Sequence, residues 1–332
     1  MRGETPRLVP RVAFFCLVVG TLITGAGSCI AQTYPTRAVR IIVGQSPGGA
    51  TDIFARMTAQ KLNEAWKQPV VVENRPGAAG AIGAEMTVKA PPDGYTVLLA
   101  TAGQIVINQH FMKLPFDPVR DLVPITFFAA APLMLVAHPS VPAKSVRELI
   151  ALARARPEKI THGSGGNGSP AHLAAELFKT MSGVRMTHVP FKGVAPAVTA
   201  VVAGQIDWTF ATVVAVLPQV RAGRLRGLAV STAKRSQSVP EVPTVAEAGI
   251  PGYAFTTWYG FFGPAALPKD VAGRINAELT RILGLSDIRE RLTTDGSEPG
   301  NLTPEQFAAF IKAEAARWGK LIRSLDIKPE NQ

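Results

Sequence analysis

Two glycine-rich stretches hold the residues best suited to grip a small molecule. The first runs Gly44-Gln45-Ser46-Pro47-Gly48-Gly49-Ala50-Thr51-Asp52, the second His162-Gly163-Ser164-Gly165-Gly166-Asn167-Gly168-Ser169-Pro170. In each, the glycines permit a tight turn and leave backbone N–H groups free where a helix begins. Ser169 is placed to cap the second helix and Pro170 to take its first position. Free N–H groups and the positive end of a helix dipole attract anions. The chemistry on offer is recognition of an anion by uncharged donors, and two such loops facing each other across a cleft would grip a small carboxylate from both sides. Taken singly, either loop is explained equally well as a plain turn between a strand and a helix.

Covalent, cofactor and metal chemistry have less support. Gly163-Ser-Gly165-Gly-Asn-Gly168 matches the spacing of a dinucleotide fingerprint, but only a short strand precedes it and no acidic residue ends the next strand at Met186 to Val189. Ser164 has His162 and not glycine two places before it, so it is no nucleophile-elbow serine. Asn167-Gly-Ser169 has sequon form but is followed by proline. His110, His138, His162, His172 and His188 show no metal-ligand spacing and read as capping, core or surface residues. His172, in the first turn behind the second loop, is the exception that falls near the expected cleft. No pair of carboxylates sits on adjacent strand ends to share acid and base roles. Basic residues are scattered, densest at Arg221, Arg224, Arg226 and Lys234-Arg235, and lack the interleaved aromatics of a nucleic-acid groove. The expectation is a binding protein with no cofactor, no metal and no nucleic-acid partner.

The elements that must position these loops alternate strand and helix. Val39 to Val43 is a β-branched run, and Ala55, Ala59, Leu62 and Trp66 recur at helical spacing behind the first loop. Val70 to Val72 and Tyr95 to Leu99 read as further strands. Ser145-Val-Arg-Glu148 and Thr303-Pro-Glu-Gln306 are capping boxes that open helices, the last with the stripe Phe307, Ile311, Ala315, Trp318, Ile322. This alternation predicts an α/β fold with mostly parallel sheets. Val123 to Ala137 and Phe255 to Phe262 are long, apolar and lack helical periodicity, so they read as paired extended segments crossing between two lobes. The first lobe is then discontinuous, 32–128 plus 262–332. The second spans 133–256, with crossings at 129–132 and 257–261.

Composition agrees with two globular lobes. The chain has 332 residues, 47% hydrophobic and 18% charged, with two cysteines and a net charge of +11. That excludes a disordered chain and a disulfide scaffold, and at ~150 residues per domain it suggests two domains. Arg2, Arg7 and Arg11 precede an apolar run from Val12 to Ile23 and a small residue at Ala31, the pattern of a cleavable signal peptide over 1–31. An uncleaved anchor is the alternative, against which the run falls short of the ~20 apolar residues of a span. Lipidation at Cys29 is another, weakened by Ala26 three places before it. Loss of 1–31 removes three arginines, one glutamate, Cys16 and Cys29, leaving +9 and no thiol. Export with no later anchor fits a bacterial periplasm.

Seven motifs then occur in order along the mature chain: Pro47-Gly-Gly-x-x-Asp52 in the loop after Ile41, Val72-Glu-Asn-Arg-Pro-Gly-Ala-Ala-Gly80, Pro92-Asp-Gly-Tyr-Thr96, the loop Gly163 to Leu173, His188-Val-Pro-Phe-Lys-Gly193, Gly204-Gln-Ile-Asp207 and Pro243-Thr-x-x-Glu-x-Gly249. Together they resemble the extracytoplasmic solute receptors of the tripartite tricarboxylate transporters, the Bug family. Phe191 departs from the pattern, which has tyrosine there. The resemblance implies a type II periplasmic-binding-protein fold, two Rossmann-like lobes joined by two crossing segments, acting as a monomeric trap for a small carboxylate delivered to a two-subunit membrane permease. Carried over by position, the ligand contacts are Ser46, Gly48, Gly49 and Thr51, with Asp52 capping its helix, and Thr101 and Gln104 in the same lobe. Across the cleft they are Ser164, Asn167, Ser169 and His172, with Asp207 and Thr209 at the distal end. Trp258 either walls the pocket or packs the hinge. A receptor feeding a signalling system, or an enzyme acting on a carboxylic acid, are the rival functions.

Overall fold

The structure is a computed structural model that describes Gly3 and residues 34–324. The signal segment expected at 1–31, with Ala31 and Cys29, therefore lies outside the described residues apart from Gly3. From Arg37 onward the chain forms one compact unit.

Strand and helix alternate as β1 (Val39–Val43), α1 (Ala50–Trp66), β2 (Val70–Asn74), α2 (Ala81–Val88) and β3 (Thr96–Thr101). After a wide helical turn at Gly103–Ile107, β4 (Leu122–Ala131) and β5 (Leu133–Ala137) follow almost without a break. The series continues with α3 (Val146–Ala155), β6 (Thr161–Ser164), α4 (Pro170–Ser182), β7 (Thr187–Pro190), α5 (Val194–Val202), β8 (Trp208–Thr212), α6 (Val213–Arg221) and β9 (Arg226–Val230). It closes with β10 (Thr257–Pro264), α7 (Lys269–Leu283), α8 (Ser286–Thr294), β11 (Glu298–Pro299) and α9 (Pro304–Ser324). These form a six-stranded sheet in the order β11-β4-β10-β3-β1-β2 and a five-stranded sheet in the order β7-β6-β8-β5-β9.

Parallel pairing is narrower than the sequence predicts. It is confined to β1 with β2 and β3, and to β6 with β7 and β8; the other pairs are antiparallel. The reason lies in the crossings. β4 belongs to the first sheet and β5 to the second, with Pro132 alone between them. Lacking an N–H, proline ends both ladders there. The return crosses between Phe255 and Thr257, after which β10 runs antiparallel beside β4 with Thr257 opposite Ala131. Fully buried Ser231 ties the two crossings together. Its Oγ accepts the Leu133 N–H at 2.9 Å and donates to Phe255 O at 2.7 Å. Its backbone N–H donates to Leu133 O and its carbonyl accepts from the Phe255 N–H, both at 2.7 Å.

The Thr303 capping box forms in full; at Ser145 the cap forms, but Glu148 reaches back to the Lys144 N–H and not to that of Ser145. Ser145 Oγ accepts the Glu148 N–H, and Thr303 and Gln306 satisfy each other's backbone N–H groups. The apolar stripe of α9 is buried at Phe307, Ile311, Trp318 and Ile322. Phe307 packs on Phe127, Trp258 and Phe262 beneath the β4–β10 pair. In the same place Glu314, 8% exposed, accepts the indole N–H groups of Trp258 at 3.3 Å and Trp318 at 3.1 Å, and its other oxygen pairs with Arg317 at 2.7 Å.

Candidate functional site

In open α/β sheets, ligands gather where strands end and helices begin. Here the residues that end or follow β1, β3, β6 and β8 line a single cavity of about 50 Å³. On the same measure one water takes roughly 10–15 Å³, so the space suits a slim molecule or a few waters. Four helices start in its wall: α1 at Gly49–Thr51, α4 at Ser169–Ala171, α5 at Val194 and α6 at Thr212. The first N–H groups of a helix have no partner within it. Among the described residues no charged side chain lines the cavity; Leu133, Phe210, Ala211 and Tyr259 give it apolar walls. Burial pushes the Tyr259 phenol well above its usual value, so it stays protonated.

Two hydroxyls complete the wall. Thr101 at the end of β3 and Thr212 at the end of β8 are 5% and 4% exposed, and neither Oγ1 has a hydrogen-bond partner among the described residues. Gln45 Oε1 is likewise buried and unpartnered, while its amide donates to Gln104 Oε1 at 3.0 Å. A buried polar atom without a partner costs roughly 1–3 kcal/mol. Three of them around one cavity mark it as a place built for a polar guest.

The first loop is held from behind. Asp52 accepts from the Gly48 N–H at 3.0 Å, from Asn74 at 3.0 Å and from Arg56. Burial works to raise its pKa, but Arg56, the Gly48 N–H and Asn74 together hold it below the usual carboxylate value. Across the mouth, Ser46 reaches the other lobe, its Oγ donating to Lys192 O at 2.6 Å and its N–H to the same oxygen at 3.3 Å. Gly193 beside it has φ +140, and a Cβ there would stand 2.9 Å from Ser46 N.

Of the residues singled out in the sequence, Gly49, Thr51, Thr101 and Ser169 line the cavity. The others lie elsewhere. Ser46 bridges the lobes and Gly48 is engaged by Asp52. Gln104, 1% exposed, accepts the Thr101 N–H and donates to Gly80 O, so it shapes the end of β3 from within. Ser164 is fully buried and bonds Gly166 and His188. Asn167 is part-buried in the second loop, outside the cavity wall. His172, 1% exposed, accepts the Gly168 N–H at Nδ1. Asp207 precedes β8 and bonds Thr161, at the end of the sheet opposite the cavity, and Thr209 Oγ1 donates to Gly163 O. Trp258 faces Phe127 and α9, while the opposite face of β10 turns its neighbour Tyr259 to the cavity. Sequence reasoning missed Thr212 and the wall of Leu133, Val194 and Phe210. The strand-end rule applied to β8 finds Thr212, had the strand's end been placed there.

His162 and His172 are held well below the ordinary imidazole range, first by burial and then by His188 and Lys179. Both are neutral in the folded chain, while an unfolded histidine charges near ~6.5. Below that pH the unfolded state takes up protons that the folded state refuses, so this contribution to stability is present above ~6.5 and is lost as pH falls. Melting temperature should hold level from pH 8 to 7 and decline below ~6.5, less steeply in His162→Phe. A rise in melting temperature between pH 6.5 and 5 would contradict the assignment.

Among the described residues no helix is long and apolar enough to cross a membrane, and no group of three or more His, Cys, Asp or Glu side chains is placed to hold a metal ion. The model of the tripartite tricarboxylate transporter family receptors matches residues 54–327. BugT of Bordetella pertussis is 35% identical over 316 residues, 94% of this chain and 97% of that one. An R. palustris protein solved with adipate is 37% identical with a TM-score of 0.86, covering 88% of this chain and 98% of that one. MatC from Rhodopseudomonas palustris with bound malate is 30% identical with a TM-score of 0.83, covering 87% and 100%.

Proposed function

Because the chain belongs to the tripartite tricarboxylate transporter receptor family, we propose that it is a periplasmic receptor that captures a small organic carboxylate between two lobes and delivers it to a two-subunit membrane permease. The observation that carries this is the cavity wall: four helix starts, two unpartnered hydroxyls and, among the described residues, no charged side chain. A carboxylate fits donors of that kind, and a nucleophile or an acid–base pair has no place among them. The first-turn N–H groups at Gly49–Thr51 and at Ala171 take one carboxylate from opposite sides. Thr101 and Thr212 donate to what remains polar, and Leu133, Phe210 and Tyr259 cover a hydrocarbon body. Between the acids found in relatives, this wall suits adipate, with its bare methylene chain, better than the hydroxylated malate.

The lobes are 32–128 with 262–332, and 133–256. They turn about 129–132 and 257–261, residues 1–31 direct export, and the chain acts as a monomer without catalysis. Ligand favours the closed arrangement through contacts to both loops that an open one lacks.

Thermal shift tests the reading. At a hundredfold excess over its Kd, adipate should stabilise the protein by about 2.7 kcal/mol, a rise of several degrees, and adipamide should not. A panel of mono-, di- and tricarboxylates without any shift would sink the proposal.

A further inference from the structure

Three histidines from three elements form one column behind the second loop. His188 of β7 lies between His162 of β6 and His172 of α4, with ring centroids 4.9 and 4.5 Å away and ring planes inclined by only 19° and 26°. Two members of the column touch the loop. His172 Nδ1 accepts the Gly168 N–H at 3.1 Å. His188 Nε2 lies 2.6 Å from Ser164 Oγ, which receives the Gly166 N–H at 3.0 Å.

The surroundings leave little room for adjustment. Gly168 has φ +83, and a Cβ there would stand 2.5 Å from Asn108 Oδ1. Phe111 meets the His172 ring edge-on at 5.5 Å, and Trp208 packs on His162 at 5.0 Å. The charged groups facing the column are Glu176 and Lys179. Glu176 Oε1 lies 3.6 Å from His172 Nε2 and 3.9 Å from His162 Nε2, but Lys179 already engages it at 2.7 Å.

An N–H can be accepted only by a nitrogen without a proton. If Nδ1 of His172 were protonated, two N–H groups would face each other and the anchor of Gly168 would be lost. The next residue, Ser169, caps α4, and the first turn of α4 lines the cavity. We infer that His172 is a positioning residue that holds the cradle at Gly168–Ala171 through its unprotonated Nδ1, so that ligand capture at this site is proton-sensitive. Burial, His188 and Lys179 place the titration on the acid side of the usual imidazole range. The brace stands on the geometry alone; its effect on affinity rests on the carboxylate reading of the cavity.

The test has two arms. In the first, the full mature protein with ¹⁵N-labelled histidine and glycine is followed by NMR from pH 8 to 5. The Gly168 amide should lose its hydrogen-exchange protection in step with the titration of His172 Nδ1. A Gly168 amide that is unchanged while His172 titrates overturns the brace. In the second arm, adipate affinity is measured at pH 7.5 and 5.0 by calorimetry. Wild type should lose at least twofold more than His172→Asn, whose Oδ1 stands where Nδ1 did and does not titrate. The carboxyls of adipate titrate alike in both proteins and cancel in the ratio. His172→Phe keeps the ring without the acceptor and should bind weakly at both pH values. An equal loss in wild type and His172→Asn overturns the proton linkage. Failure of adipate and of every other carboxylate in the panel to bind at any pH strikes the carboxylate reading instead and leaves the NMR arm to decide the brace, as it also does if a variant fails to fold.

Discussion

Replacing Gly165 by valine should cut adipate affinity at least a hundredfold while the protein stays folded. Gly165 lines the cavity, and a Cβ there would already stand 3.2 Å from Val194 N and 3.4 Å from Ser169 Cβ. Two further methyl groups must go into about 50 Å³ between the starts of α4 and α5. They occupy the space that the ligand's carboxylate needs and push it off the first-turn N–H groups. A hundredfold loss corresponds to about 2.7 kcal/mol. Overpacking costs about 1–3 kcal/mol, less than the 5–15 kcal/mol of a typical domain, so circular dichroism should show an intact fold with a modestly lower melting temperature. Gly165 is a cleaner probe than Gly48, whose φ of +88 would strain any other residue wherever the ligand binds. If Gly165→Val binds adipate within threefold of wild type, the ligand lies elsewhere.

The second large effect is on stability and falls far from the cavity. Glu314→Ala should cost about 2–6 kcal/mol, because the indole N–H groups of Trp258 and Trp318 both lose their acceptor in a buried setting, at ~1–3 kcal/mol each. At about 2–4 °C per kcal/mol for a chain of this size, the melting temperature should drop by roughly 4–24 °C. Glu314→Gln keeps one oxygen for the indoles and should recover most of the loss. Adipate affinity should change less than twofold in both, since Trp258 points away from the cavity. A melting temperature within 2 °C of wild type for Glu314→Ala would show that the indoles find other partners.

How much of this was legible depended on how local each feature is. Both glycine loops and the Ser169, Ser145 and Thr303 caps were readable because each is a pattern within a few residues. Thr212 was not. It is followed by Val-Val-Ala-Val, a run in which a buried strand and the start of a helix look alike, and α6 opens with neither a glycine nor a side-chain cap. Asp207 and Thr209 came from the family resemblance by position; Asp207 immediately precedes β8 and Thr209 lies near its start, at the end away from the cavity. Trp258 shows the limit set by side-chain direction: the aromatic crossing segment was evident, but which face of β10 turned to the cavity depended on Glu314, 56 residues further on. The histidine column needed residues from three elements to meet, and the mixed sheets needed the crossings to be traced.

The junction at Pro132 and Ser231 has a mechanical consequence. β4 passes into β5 across one residue, β10 starts beside that junction after a long connection from β9, and a single buried serine bolts the two crossings together. An engineer would call this a flexure pivot. Paired blades clamped at one point bend readily about one axis and are stiff against twist and slip. The opening and closing proposed above would, about such a pivot, be a motion with one degree of freedom, and the two loop tips would return to the same register at every stroke. In that proposed motion the lobes would act as lever arms, and a small error of angle at the pivot would grow with distance toward Ser46 and Lys192. Ser231→Ala would therefore loosen the aim of a mouth that it never touches.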